Sequence, residues 1–169
     1  MLMYQLCQRW QLPALSHIVV DLPQPGQGLN CLWDRYGTQL ESVEFGRSLR
    51  FFMIDVIRPC LQGCPNLKEL NYYILFTYAP LPKDIPPCPS VTSLGLSFSR
   101  SEIFDDENQM WDLIEAHFDL VLSTEVFPNI KKVRLYGDYH VGDWESMLSH
   151  TRFEQIEGAL RERGVEIET

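Results

Sequence analysis

The sequence contains no run of the roughly 20 apolar residues that a membrane-spanning helix requires. No basic leader precedes an apolar run near Met1, and no Asn-x-Ser/Thr acceptor occurs anywhere. These absences lead to the expectation of a soluble intracellular protein, cytoplasmic or nuclear, with no membrane partner. Positive charge is also in deficit, because 14 Lys and Arg face 23 Asp and Glu for a net charge of −9. An acidic chain repels phosphate backbones unless a local basic patch compensates, so nucleic acid is not an expected partner.

Catalytic signatures are missing as well. There is no His-Glu-x-x-His helix, no phosphate-binding glycine loop ending in Lys-Ser/Thr, and no Gly-x-Ser-x-Gly elbow. Gly95-Leu-Ser97-Phe-Ser99 fails the elbow at its last position. The four histidines, His17, His117, His140 and His150, fall in four different segments. His117 sits on the apolar side of a helical stripe and reads as a satisfied, semi-buried residue. His140 and Asp143, in the loop after the fifth strand described below, are the place where a hydrolase-like site would fall, but no nucleophile lies near them. No catalytic residue and no cofactor is expected.

The five cysteines, Cys7, Cys31, Cys60, Cys64 and Cys88, are odd in number and scattered through apolar segments, which predicts reduced, buried thiols. Zinc binding by Cys60, Cys64 and Cys88 is the competing reading. It is set aside because Cys64 and Cys88 occupy one recurrent position just before a proline, where a small apolar side chain is wanted. No metal site is expected.

What the sequence does have is a recurrent phrase of apolar, two polar, apolar, polar, apolar. It appears as Leu15-Ser-His-Ile18-Val-Val20, Leu40-Glu-Ser-Val43-Glu-Phe45, Leu67-Lys-Glu-Leu70-Asn-Tyr72, Val91-Thr-Ser-Leu94-Gly-Leu96 and Ile130-Lys-Lys-Val133-Arg-Leu135. In four copies a proline stands two residues before the first apolar position: Pro13, Pro65, Pro89 and Pro128. The copies start 25, 27, 24 and 39 residues apart. Three intervals fit the leucine-rich-repeat range of about 20 to 29 residues, and the fourth carries an insertion. The predicted fold is a single α/β domain over 1–169, a leucine-rich-repeat-like solenoid with a curved parallel sheet of about five to six strands and irregular outer helices and loops.

Between the strands, residues 1–11 place Leu2, Leu6 and Trp10 at helical spacing, as the outer helix of an incomplete first repeat. Residues 17–22 read as a strand, and Leu29–Tyr36 as a short helix stopped by Gly37. Ser48 is positioned to cap a helix whose face carries Leu49, Phe52, Met53, Val56, Ile57 and Cys60, with Pro59 ending or kinking it. Pro80, Pro82, Pro86 and Pro87 make the 76–88 crossover an extended loop. Asp105-Asp-Glu107 opens the longest helix, with Met110, Trp111, Ile114, Phe118, Val121 and Leu122 along one stripe. Residues 151–169 form a C-terminal capping helix and strand, with Thr151-Arg-Phe-Glu154 as a capping box and Gly164 as terminator.

A strand period of two sends the apolar positions inward and the intervening ones to the opposite, concave face. The candidate partner-binding residues are His17, Glu44, Glu69, Asn71, Tyr73, Ser93, Gly95, Ser97, Lys132, Arg134 and Tyr136. The face reads as acidic at Glu44 and Glu69, shallow at Ser93, Gly95 and Ser97, and basic at Lys132 and Arg134. A partner side chain is expected to approach the backbone at the small centre.

Four phrases carry a family resemblance: Trp10-Gln-Leu-Pro-Ala-Leu15, Cys64-Pro-Asn-Leu67-Lys-Glu-Leu70, Phe127-Pro-Asn-Ile130-Lys-Lys-Val133-Arg-Leu135-Tyr-Gly, and Arg161-Glu-Arg-Gly-Val165-Glu-Ile-Glu. Through them the chain resembles the leucine-rich-repeat half of fungal F-box proteins, although the F-box itself is absent. The resemblance implies a non-enzymatic substrate-binding region of a ubiquitin ligase receptor, or a fragment of one. Its partner is then a protein substrate on the concave face, with the ligase scaffold as a partner only where an F-box lies upstream. A structural remnant without a ligand is the remaining alternative.

Overall fold

The computed structural model describes residues 2–21, 28–46, 55–74, 77–98, 106–137 and 147–169. Six parallel strands lie side by side in sequence order: β1 (His17–Val20), β2 (Ser42–Phe45), β3 (Glu69–Tyr73), β4 (Ser93–Phe98), β5 (Lys132–Gly137) and β6 (Glu166–Glu168). Among the described residues, five helices connect or flank them: α1 (Leu2–Arg9), α2 (Gly28–Tyr36), α3 (Ile57–Gly63), α4 (Glu107–Leu122) and α5 (Thr151–Glu162).

The phase of the recurrent phrase fixes the register. His17, Ser42, Glu69, Ser93, Lys132 and Glu166 form one row across all the strands, and Val19, Glu44, Asn71, Gly95, Arg134 and Glu168 form the next. Alternation then sends Val43, Leu70, Leu94, Val133 and their partners two residues on into one core with the helices. Trp33 of α2 meets Phe45 edge-on at 6.3 Å, and Phe118 of α4 meets Phe153 of α5 at 5.9 Å.

Equivalent positions before each strand also make equivalent hydrogen bonds. Asn66 Nδ2 donates to the Thr38 carbonyl at 2.6 Å, Ser90 Oγ to Pro65 at 2.8 Å and Asn129 Nδ2 to Pro89 at 2.8 Å. Gln39 Nε2 does the same toward Leu12 at 2.7 Å. The turns entering β2, β3, β4 and β5 are each thereby tied to the turn before, and carbonyls there that have no ladder partner are satisfied.

Several expectations need correction. Cys7 and Cys31 are joined as a disulfide between α1 and α2, where reduced thiols were expected. Cys60, Cys64 and Cys88 are free and buried. Trp10 lies beyond the end of α1 and is 52% exposed, so Cys7, not Trp10, is the buried anchor. Within the described residues α3 begins at Ile57, with Pro59 inside its first turn, where a missing N–H costs no helical hydrogen bond. Ser48, Leu49, Phe52 and Met53 lie outside the described residues. The 76–88 crossover contains a 3-10 turn at Pro82–Asp84.

At α5, His150 is the cap: its Nδ1 accepts from Arg152 N at 3.2 Å, and Thr151 is already helical. α4 is the longest helix among the described residues, at 16 residues, and Asp106 caps it by accepting from Asn108 N. Gly164 ends α5 with φ 73°, a left-handed conformation that glycine adopts without strain.

Candidate functional site

The sheet face opposite the core carries the expected residues in the expected rows, but its centre is not shallow. Ser97 is completely buried and Asn71 is 7% exposed. A Cβ added at Gly95 would collide with the Asn71 carboxamide and lie 2.8 Å from Tyr136 Cε1. Long side chains from β3 and β5 therefore fold over the small residues of β4 and occupy the space that a partner was expected to enter. Gly46 is covered in the same way by Asp21, just after β1. The signal was present in the sequence as long residues on both sides of a small one, within the roughly 4.8 Å spacing of adjacent strands.

The separation of acidic and basic zones also disappears in the fold. Lys132 Nζ lies 2.7 Å from Glu168 Oε1, while Arg134 reaches Glu168 Oε2 at 3.4 Å and Glu69 Oε1 at 3.5 Å. Glu69 additionally accepts from Asn71 Nδ2 at 3.1 Å. The hydrogen bond with Glu168 raises the Lys132 pKa, and Lys132 in turn lowers that of Glu168. Both cations are committed to carboxylates of this chain. Glu168, left out of the candidates, is the residue that neutralises them; its position on the next strand with opposite charge was the available clue.

Glu44 is the exception among these acids. It is half-buried, its register neighbours are Val19 and Asn71, and it makes no ion pair among the described residues. Val19 is 50% exposed. Tyr73 and Tyr136, half-buried one row further along, flank Ser97 in register. Burial first, then the charge of Glu44 and the nearby Tyr73, raise the Tyr136 hydroxyl above the ordinary tyrosine range. His17 is exposed, and Ser93 half-buried, in the first row.

Three buried polar atoms on this face lack partners among the described residues: Ser42 Oγ, Asn71 Oδ1 and Ser97 Oγ. The Asn71 amide orientation is fixed by chemistry, because the Glu69 carboxylate can only accept, so Nδ2 faces Glu69 and Oδ1 is the free acceptor.

Elsewhere the titratable groups read as structural. Burial raises the Cys60 thiol well above its ordinary range, and Cys88 to about 11, so both are protonated at neutral pH. No group of three or more His, Cys, Asp or Glu suited to a metal occurs among the described residues. His117, semi-buried by expectation, is fully buried between Tyr72 and Thr77. His140 and Asp143 lie outside the described residues. A polar cleft of about 660 Å³ between α2 and α3, lined by Asn30, Asp34, Arg58 and Asp84 among others, contains none of the sequence-derived candidates. No described helix is long and apolar enough to cross a membrane.

Comparison of the chain with models of protein families, with curated proteins and with solved structures finds no match.

Proposed function

We propose that the chain is a non-enzymatic protein-interaction module: a leucine-rich-repeat-like solenoid that holds a protein partner on the strand face opposite its helices, in the manner of an F-box-type substrate receptor. The observation that carries this reading is the shared register of six parallel strands, which assembles residues from 17 to 168 into continuous rows on one face. A surface built from one residue pair per repeat can diversify without disturbing the core, because the inward positions alone hold the fold. Intracellular placement, and a ligase scaffold as second partner where an F-box lies upstream, belong to the same reading.

Charge reversal at Lys132 and Arg134 is an unsuitable test, since it would also break their bonds to Glu168 and Glu69. A photo-cross-linking residue at half-buried Ser93, compared with one at exposed Asp119 on α4, separates the two faces. The expected result is a partner protein trapped from Ser93 and not from Asp119. Equal trapping at both positions, or trapping only at Asp119, would overturn the proposal.

A further inference from the structure

α1 is fastened to the fold at few points. Among its described side chains Gln5, Gln8 and Arg9 are exposed and Cys7 is buried, and Cys7 is bonded to Cys31 on α2. Just beyond the end of α1, two side chains hold the backbone: Tyr36 Oη donates to the Trp10 carbonyl at 2.7 Å, and Gln39 Nε2 donates to the Leu12 carbonyl at 2.7 Å. A helix of 8 residues is too short to persist in water by itself, so α1 depends on its packing against α2 and on the bond to Cys31. Cys31 is half-buried where Cys7 is buried, which makes Cys31 the more open end of that bond. The remaining thiols, Cys60, Cys64 and Cys88, are all buried, so an external thiol meets this pair first.

We propose that Cys7–Cys31 is a reversible redox latch: a thiol reductant opens it, and opening frees Leu2–Arg9 from α2 while the sheet stays folded. The inference rests on the intracellular placement in the reading above, because disulfides found in a reducing compartment are mostly transient, catalytic or redox-sensing. In the exchange, the reductant's thiolate attacks Cys31 Sγ and forms a mixed disulfide. The bond to Cys7 breaks, and Cys7 leaves as a thiolate that takes a proton from water. A second reductant thiolate then attacks the reductant's sulfur in the mixed disulfide and displaces Cys31 as a thiolate, which is protonated in turn. The protein has gained two electrons and two protons, and two reductant thiols have become one disulfide. That oxidised product runs the same steps backwards and closes the latch. Release stops at Trp10, because the bonds from Tyr36 and Gln39 to the Trp10 and Leu12 carbonyls do not involve either sulfur. β1 lies beyond those anchors and is paired with β2 over His17–Val20, so the sheet does not depend on the latch.

The test is a redox titration of the native full chain in mixtures of reduced and oxidised glutathione, read by alkylation with mass spectrometry and by amide exchange. Cys7 and Cys31 are expected to become alkylated together and to close again when the ratio is reversed, while Cys60, Cys64 and Cys88 stay unlabelled. In the reduced form the Leu2–Arg9 amides should exchange faster by about tenfold or more, with β2 to β5 as protected as before. The double variant Cys7→Ser, Cys31→Ser, which cannot close, should show the fast exchange in every mixture, and its thermal melting checks that it folds. A bond that opens only in denaturant, a pair that never closes in oxidised glutathione, equal exchange of Leu2–Arg9 in both forms, or loosening of β2 to β5 together with α1 would each overturn the proposal. These readouts are separate from the interaction-module reading: failure of the Ser93 cross-link leaves them unaffected, and a permanently closed bond refutes the latch while leaving trapping at Ser93 intact.

Discussion

The imidazole of His117 on α4 lies 3.3 Å from the hydroxyl of Tyr72 on β3 through Nδ1, and its Nε2 lies 3.0 Å from the Thr77 carbonyl. A carbonyl only accepts, so Nε2 carries the proton and Nδ1 accepts from the tyrosine. The neutral ring thus satisfies two polar groups inside an otherwise apolar region and joins α4 to the middle of the sheet.

Burial lowers the His117 pKa from 6.5 to about 4. The unfolded chain therefore binds this proton first as pH falls, so the stability contribution is complete above about pH 6.5 and is lost progressively toward pH 4, by roughly 3 kcal/mol in all. Urea midpoints between pH 7 and pH 4 should fall accordingly, and His117→Gln should flatten that part of the profile. An unchanged slope in the variant would assign the pH dependence to other groups.

Gly95→Ala is expected to cost about 1–2 kcal/mol, because the new methyl overlaps the Asn71 carboxamide and crowds Tyr136. Removing the obstruction with Asn71→Ala in the same chain should recover most of that loss. A double-mutant cycle in denaturant reads the coupling directly, and additive effects would contradict the close packing over β4.

Leu94→Asp places an unpaired carboxylate at a site only 1% exposed in the centre of the sheet. Loss of more than about 4 kcal/mol, enough to abolish cooperative unfolding, is the expected outcome by circular dichroism or calorimetry. Cooperative melting at an unchanged temperature would refute the inward assignment of this strand phase.

The Cys7–Cys31 bond closes a loop with a sequence separation of 24. Chain entropy alone gives such a cross-link roughly 3 kcal/mol, so reduction should lower the melting temperature and release α1 first. Thiol titration of the untreated denatured protein should count three reactive cysteines, rising to five after reduction. Five at the start would show the pair to be open, as a reducing compartment would keep it.

Much of the sheet is legible from residues alone, because strand register follows from the phase of the apolar positions. The row joining Glu44, Asn71, Gly95 and Arg134 needs only the spacing of Val43, Leu70, Leu94 and Val133. Periodicity does not report how far a side chain leans sideways. Tyr136 covering Gly95, and Lys132 turning toward Glu168 and not its direct neighbour Glu166, depend on side-chain length across strands. The disulfide was hidden for a related reason: Cys7 and Cys31 lie in different helices whose packing no local pattern specifies. The cap of α5 was misplaced by one residue because His150 uses a ring nitrogen where the pattern suggests a hydroxyl.

The ties from Asn66, Ser90 and Asn129 each run to the preceding turn and no further. Cohesion along the sheet is therefore passed hand to hand, with no bond in that series skipping a neighbour. Opening is then cheapest where a unit has a neighbour on one side only. Amide exchange should be fastest in β1 and β6 and slowest in β3 and β4, and losing one tie, as in Asn129→Ala, should loosen β5 and β6 while leaving β1 and β2 as protected as before.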